Sequence, residues 1–78
     1  MKVTEEEREL LNHLMEECAE VIQAANKCIR YGFDAFGPNA KVDNLEHLFD
    51  EISDVITLSY ELETALNESV SDRFPEKS

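Results

Sequence analysis

The sequence predicts an all-α fold, an antiparallel pair of helices joined by a single loop, and three observations carry that prediction. Two long segments repeat apolar residues at helical spacing. Both glycines and one of the two prolines fall between those segments. Each segment also opens on a helix-start signal, Thr4 followed three residues later by Glu7, and Asp43 followed three residues later by Glu46.

The first helix is expected over about residues 4–31. Its acidic first turn suits the helix dipole, and Leu11, Leu14, Cys18, Ile22, Ala25 and Ile29 fall on one stripe. Lys27 and Arg30 suit the C-terminal end of the dipole, and Gly32 is placed to close the helix. The connection, residues 32–42, holds Phe33 and Phe36, which are expected to cover one end of the core. The second helix is expected over about residues 43–67, with Leu45, Leu48, Ile52, Val55, Ser59, Leu62 and Leu66 on its stripe. A short polar tail follows, with room for one more turn of helix before a frayed end around Pro75.

A chain of 78 residues and 8.9 kDa is read as a single domain, 1–78, near the size at which one core struggles to offset chain entropy. A second chain is therefore expected to share that core. With 7 Lys and Arg against 18 Asp and Glu, the net charge of −11 argues against a nucleic-acid groove or an anionic membrane surface as partner. Cys18 and Cys28 lie ten residues apart on one helix, roughly 15 Å of rise, too far for a disulfide between them. They read as reduced, packing cysteines of a cytoplasmic protein. No basic-then-apolar leader opens the sequence, and no run of about 18 apolar residues is present to span a bilayer.

One repeat goes beyond what packing requires. HLMEECAEVI at 13–22 and HLFDEISDVI at 47–56 begin 34 residues apart and share acids at three positions. The period is that of tetratricopeptide arrays, but two copies are fewer than such arrays need, and their Trp, Gly and Tyr positions are missing. On a helical wheel Glu17 and Glu20 lie roughly 100° and 160° to one side of the first stripe, and Glu51 and Asp54 roughly 70° and 130° to the same side of the second. Antiparallel pairing brings both acid faces to the same side of the hairpin. Measured from the loop, the two motifs are also nearly level.

Single acids in so acidic a chain are usually a solvated face, but matched pairs at matched depth are not expected by that account. Converging carboxylates repel unless a cation lies between them, and an all-oxygen ligand set suits Mg²⁺, Mn²⁺ or Ca²⁺ over zinc, with Mg²⁺ in particular taking a few carboxylates plus waters and phosphates. Glu17, Glu20, Glu51 and Asp54 are therefore the expected ligands. Lys27 and Tyr31 fall on the same face as Glu20, toward the loop, and Lys27 with Arg30 is placed to meet phosphate oxygens. Their alternative role is that of cations favoured at a helix C-terminus. His13 and His47 each precede a motif Glu by four residues and are expected to line the pocket rather than to ligate.

EECAE at 16–20 followed by EISD at 51–54 resembles the paired signature of the MazG-like, all-α nucleotide pyrophosphohydrolases, over roughly residues 10–60. The resemblance implies hydrolysis of a nucleoside triphosphate to monophosphate and pyrophosphate, with Mg²⁺ held at Glu17, Glu20, Glu51 and Asp54. Glu16 matches the first Glu of that motif but turns away from Glu51 on the wheel, so a supporting or water-orienting role is expected of it, with a surface acid as the alternative. The resemblance and the small core together point to a homodimer forming a four-helix bundle, or two such pairs as a homotetramer. Relatives that stack the base on tryptophan have no counterpart here, because this chain contains none. Two other readings compete: a non-enzymatic helical interaction module, and a transition-metal site built from His13, Glu17, His47 and Glu51.

Overall fold

A computed structural model describes residues 1–73. Helix α1 spans Glu5–Tyr31 and helix α2 spans Asn44–Arg73, and they pack antiparallel into a rod of 49 × 19 × 17 Å. Among the described residues there is no strand, and no helix is long and apolar enough to cross a membrane.

The predicted caps form. The backbone N–H of Glu7 donates to Thr4 Oγ1 at 3.1 Å and that of Thr4 to Glu7 Oε1 at 2.9 Å, a reciprocal capping box. Gly32 closes α1 at φ 96°, a conformation that disfavours any side chain, and its N–H donates to the Cys28 carbonyl at 2.9 Å. Asp43 caps α2 by accepting from the N–H of Glu46 at 2.9 Å.

The loop is fixed by the start of α2. The N–H groups of Asn44 and Leu45 donate to the carbonyls of Ala35 and Phe33 at 2.8 and 3.0 Å, and the buried Asn44 amide donates to the Gly32 carbonyl at 3.0 Å. Drawing the loop backbone onto the helix end in this way leaves its rings outside. Phe33 and Phe36 are 60% and 61% exposed, so they do not cover the core as expected.

The stripe between the helices also differs from the one predicted. Glu7, Leu10, Leu14, Glu17, Val21, Ala24 and Cys28 on α1 follow alternating three- and four-residue steps, and all are buried or half-buried. Asn44, Leu48, Glu51, Val55, Leu58, Leu62, Ala65 and Ser69 do the same on α2. This is the spacing of a two-helix seam. Ile22, Ile29 and Ile56, by contrast, are 70%, 84% and 53% exposed. With Met15, Phe49, Ile52 and Tyr60 they form a second apolar stripe, roughly 90° or more around each helix from the seam. Each helix carries a wider apolar arc than one neighbour can cover.

Helix α2 runs to Arg73, six residues beyond the predicted end at Asn67. The added turns are held from across the hairpin. Arg73 donates from Nη1 to Glu7 Oε2 at 2.6 Å and from Nη2 to Glu7 Oε1 at 3.0 Å, while Ser69 Oγ donates to Glu7 Oε2 at 2.5 Å. The frayed end expected around Pro75 lies outside the described residues.

Candidate metal-binding acidic site

The seam carries acids at two levels, and they are treated differently. At the open end, Glu7 is buried but fully partnered by Arg73, Ser69 and the backbone of Thr4. The Arg73 guanidinium foremost, then Ser69, holds its carboxyl down at about 2.

Halfway along the hairpin, Glu17 and Glu51 occupy seam positions from opposite helices, and Asp54 joins them one turn on from Glu51. One carboxylate oxygen from each of the three lies within 4.8 Å of the others. Among the described residues, no lysine or arginine forms an ion pair with any of them. Glu51 Oε2 is buried with no hydrogen-bond partner. Burial pushes the Glu51 carboxyl above its ordinary range, the neighbouring Glu20 carboxyl and Asp54 push it further, and His47 acts in the opposite direction. Such a group is short of a cation.

Of the four acids expected to converge, the structure therefore joins Glu17, Glu51 and Asp54, with Glu20 exposed beside Glu51. Glu16 is exposed. Each histidine approaches the glutamate four residues on: His13 Nε2 is 3.4 Å from Glu17 Oε1, and His47 Nε2 is 3.8 Å from Glu51 Oε1. His13, Glu17, Asp54 and Glu61 share one shallow recess beside the cluster, toward the open end.

Lys27 and Tyr31 lie toward the loop end, on the side of α1 that carries Glu20, and both are exposed. The Arg30 guanidinium stands 5.4 Å from the centre of the Tyr31 ring, a cation–π distance. None of the three ion-pairs with the acidic cluster. The acids face one broad side of the hairpin and the second apolar stripe the other, so burying the stripe would leave the cluster open.

The sequence reading missed the Glu7, Ser69 and Arg73 network and the part played by Asn44. Glu7 was visible as a cap, and its second role could have been found from its seven-residue spacing to Leu14, Val21 and Cys28. No protein-family model, curated protein or solved structure matches the chain.

Proposed function

We propose that this protein is a Mg²⁺-dependent nucleoside triphosphate pyrophosphohydrolase, releasing nucleoside monophosphate and pyrophosphate, with nucleotide-pool housekeeping as its role. The observation that carries the reading is the seam cluster of Glu17, Glu51 and Asp54, with its oxygens within 4.8 Å and a buried, unpartnered oxygen on Glu51. A solvated acidic face would not place Glu17 and Glu51 between two helices, with the exposed Asp54 at their edge. The resemblance of EECAE and EISD to the MazG-like signature adds the reaction class.

The donor set fits a hard divalent ion, since Glu17, Glu51 and Asp54, with Glu20 beside them, offer only carboxylate oxygens. Mg²⁺, or Mn²⁺ in its place, would supply neutralisation of phosphate charge and activation of water. The chain's own part is positional. The two helices hold the carboxylates at one level, Lys27 and Arg30 offer positive charge to the phosphates, and Glu16, exposed on the outer side of α1, is left a supporting role. Attack by water breaks the anhydride bond to the second phosphate, so pyrophosphate departs and the proton of the water passes to solvent.

The exposed stripe that includes Ile22, Ile29, Phe49 and Ile56 supports a homodimer closing into a four-helix bundle, or a homotetramer of two such pairs. Ile22→Lys with Ile56→Lys should then reduce the mass seen by light scattering to that of one chain. The two histidines beside Glu17 and Glu51 favour a second reading, a transition-metal site without turnover.

The deciding experiment incubates the protein with each common nucleoside triphosphate and Mg²⁺ and follows monophosphate and pyrophosphate together. Equimolar release that is lost in Glu51→Gln and Asp54→Asn supports hydrolysis at the cluster. Zinc binding without any turnover would replace it with the second reading. Unchanged rates in both amide variants would remove the cluster from the chemistry.

A further inference from the structure

The acids of the two helices form one cluster only in a single register of α1 against α2. Both helices place their seam residues at alternating three- and four-residue steps, so the seam nearly repeats itself at every step. Sliding α2 by one step along α1 would still set apolar residues against apolar ones, such as Val21 against Val55 and Leu14 against Leu62. It would also shift Glu51 and Asp54 by about 5 Å relative to Glu17, as much as the 4.8 Å within which the three carboxylates meet. Apolar packing alone therefore does not hold the cluster together. Nor does the connection, because residues 32–43 are enough chain to follow such a slide.

The seam holds one uncharged polar side chain that is buried, that of Asn44. It stands seven residues before Glu51, at the same seam position two turns nearer the loop, a rise of roughly 10 Å. Each of its polar groups meets the end of α1 or the loop that follows. Its Nδ2 donates to the Gly32 carbonyl at 3.0 Å and lies 3.5 Å from the Lys27 carbonyl, its N–H donates to the Ala35 carbonyl at 2.8 Å, and its own carbonyl accepts from Cys28 Sγ at 3.5 Å. A slide of one step would part the amide from Gly32 without bringing it to solvent, and a buried amide without a partner is disfavoured. A single buried asparagine fixes the register of helical seams in this way elsewhere.

The other polar contact across the seam, Glu7 with Arg73, is less suited to the task. Arg73 is long, its side chain is 30% exposed, and it reaches Glu7 from the last turn of α2, so it can follow a slide of this size. Glu7 also lies further from the cluster, ten residues before Glu17, roughly 15 Å.

We infer that Asn44 is a positioning residue for the acid cluster: its amide, bonded to the end of α1, sets the register that brings Glu17 level with Glu51 and Asp54. This rests on the reading of the cluster as the metal site of a hydrolase. Asn44 touches neither ion nor substrate and acts through Glu51, two turns away.

The test compares Asn44→Leu, Asn44→Ala and Arg73→Ala with the parent chain by melting curves, by methyl NMR, and by calorimetry with Mn²⁺ alone at a temperature where each is folded. Asn44→Leu keeps the seam filled, so its melting temperature should equal or exceed that of the parent. Its Mn²⁺ affinity should nevertheless fall by about tenfold or more, the scale of losing a residue that orients metal ligands. The methyl resonances of Leu14, Val21, Val55 and Leu58 should be doubled or displaced in this variant, and Mn²⁺ should draw them back to one set, because the ion selects the register that brings its ligands together. Asn44→Ala, which removes the amide without adding bulk, should lose the same affinity while melting lower. Arg73→Ala should also melt lower, yet keep the parental affinity and a single set of resonances. Parental affinity in both Asn44 variants would make Asn44 a loop anchor only, overturning the inference and leaving the hydrolase reading in place. A loss of affinity in Arg73→Ala as large as in Asn44→Leu would tie the cluster to overall stability and overturn the inference equally. Failure of the native chain to bind Mn²⁺ would remove the metal site and this inference together.

Discussion

Glu7 and Glu51 hold comparable places in the molecule and opposite electrostatic positions. Both are seam carboxylates on long helices. Glu7 meets a guanidinium, a hydroxyl and a backbone N–H, and its carboxyl is held at about 2. Glu51 meets two other acids within 4.8 Å, keeps one oxygen unpartnered, and is pushed up by burial. The same residue type at the same kind of position thus closes the hairpin at one end and leaves a charge vacancy at its middle. A buried acid stabilises only when its counter-charge is built into the chain; otherwise it awaits one from outside.

The sharpest way to break this comparison is to neutralise each acid in turn. Glu51→Gln should cost the proposed hydrolysis about a hundredfold or more, the scale of losing one pre-organised electrostatic group, while raising the melting temperature of the metal-free protein. Glu7→Gln should do the reverse. It should lower the melting temperature and leave the rate per folded molecule unchanged, because Arg73 loses its partner far from the cluster. Combining Glu7→Gln with Arg73→Ala should cost less than the sum of the two single changes, since both remove the same pair. Rates and melting curves measured on the same samples check all of these. A Glu51→Gln protein that is less stable than the parent without metal would show that Glu51 is not short of a partner.

How far the sequence foretold this arrangement depends on the range of the interaction concerned. The caps at Thr4, Gly32 and Asp43 were legible because each is decided within four residues. The level of the two acid motifs was legible because it needs only their distances from the loop. The orientation of the seam was not. Each helix has two apolar arcs, one through Leu14 and Val21 and one through Cys18, Ile22 and Ile29, and local spacing does not say which meets the other helix. Following apolar spacing alone, through Leu11, Leu14, Cys18, Ile22, Ala25 and Ile29, centres the predicted stripe near Cys18. Turning the helix so that Glu17 faces α2 exposes Ile22 and Ile29 instead. The end of α2 was equally hidden, because Arg73 is held by a residue 66 positions earlier.

Added metal should reduce the difference between the two acids. Saturating Mg²⁺ or Mn²⁺ binds only where the folded chain brings the carboxylates together, so it stabilises by mass action, by about 2.7 kcal/mol at a hundred times the dissociation constant. The gain should disappear in Glu51→Gln and persist in Glu7→Gln. Thermal melts with and without metal read this directly, and an equal gain in the two variants would place the ion away from the seam.

The smallest effect expected is a pair of opposed pH dependences in chelator. Glu7 is depressed from 4.5 to about 2 in the folded state, so below 4.5 the unfolded chain binds the extra proton. Its contribution is complete above 4.5 and is lost as pH falls toward 2. Glu51 is raised, so above 4.5 and up to its folded value the folded chain holds the extra proton. Its contribution falls as pH rises through that window, and above that window the charged carboxyl costs stability. Chemical denaturation of the metal-free protein across the acid range should show both slopes. Glu7→Gln should flatten the lower one, and Glu51→Gln the upper. Saturating Mg²⁺ should reverse the upper slope, because the ion binds the carboxylate and competes with its proton. An upper slope that survives Glu51→Gln would have to come from other groups, and Glu51 would then be as well partnered as Glu7.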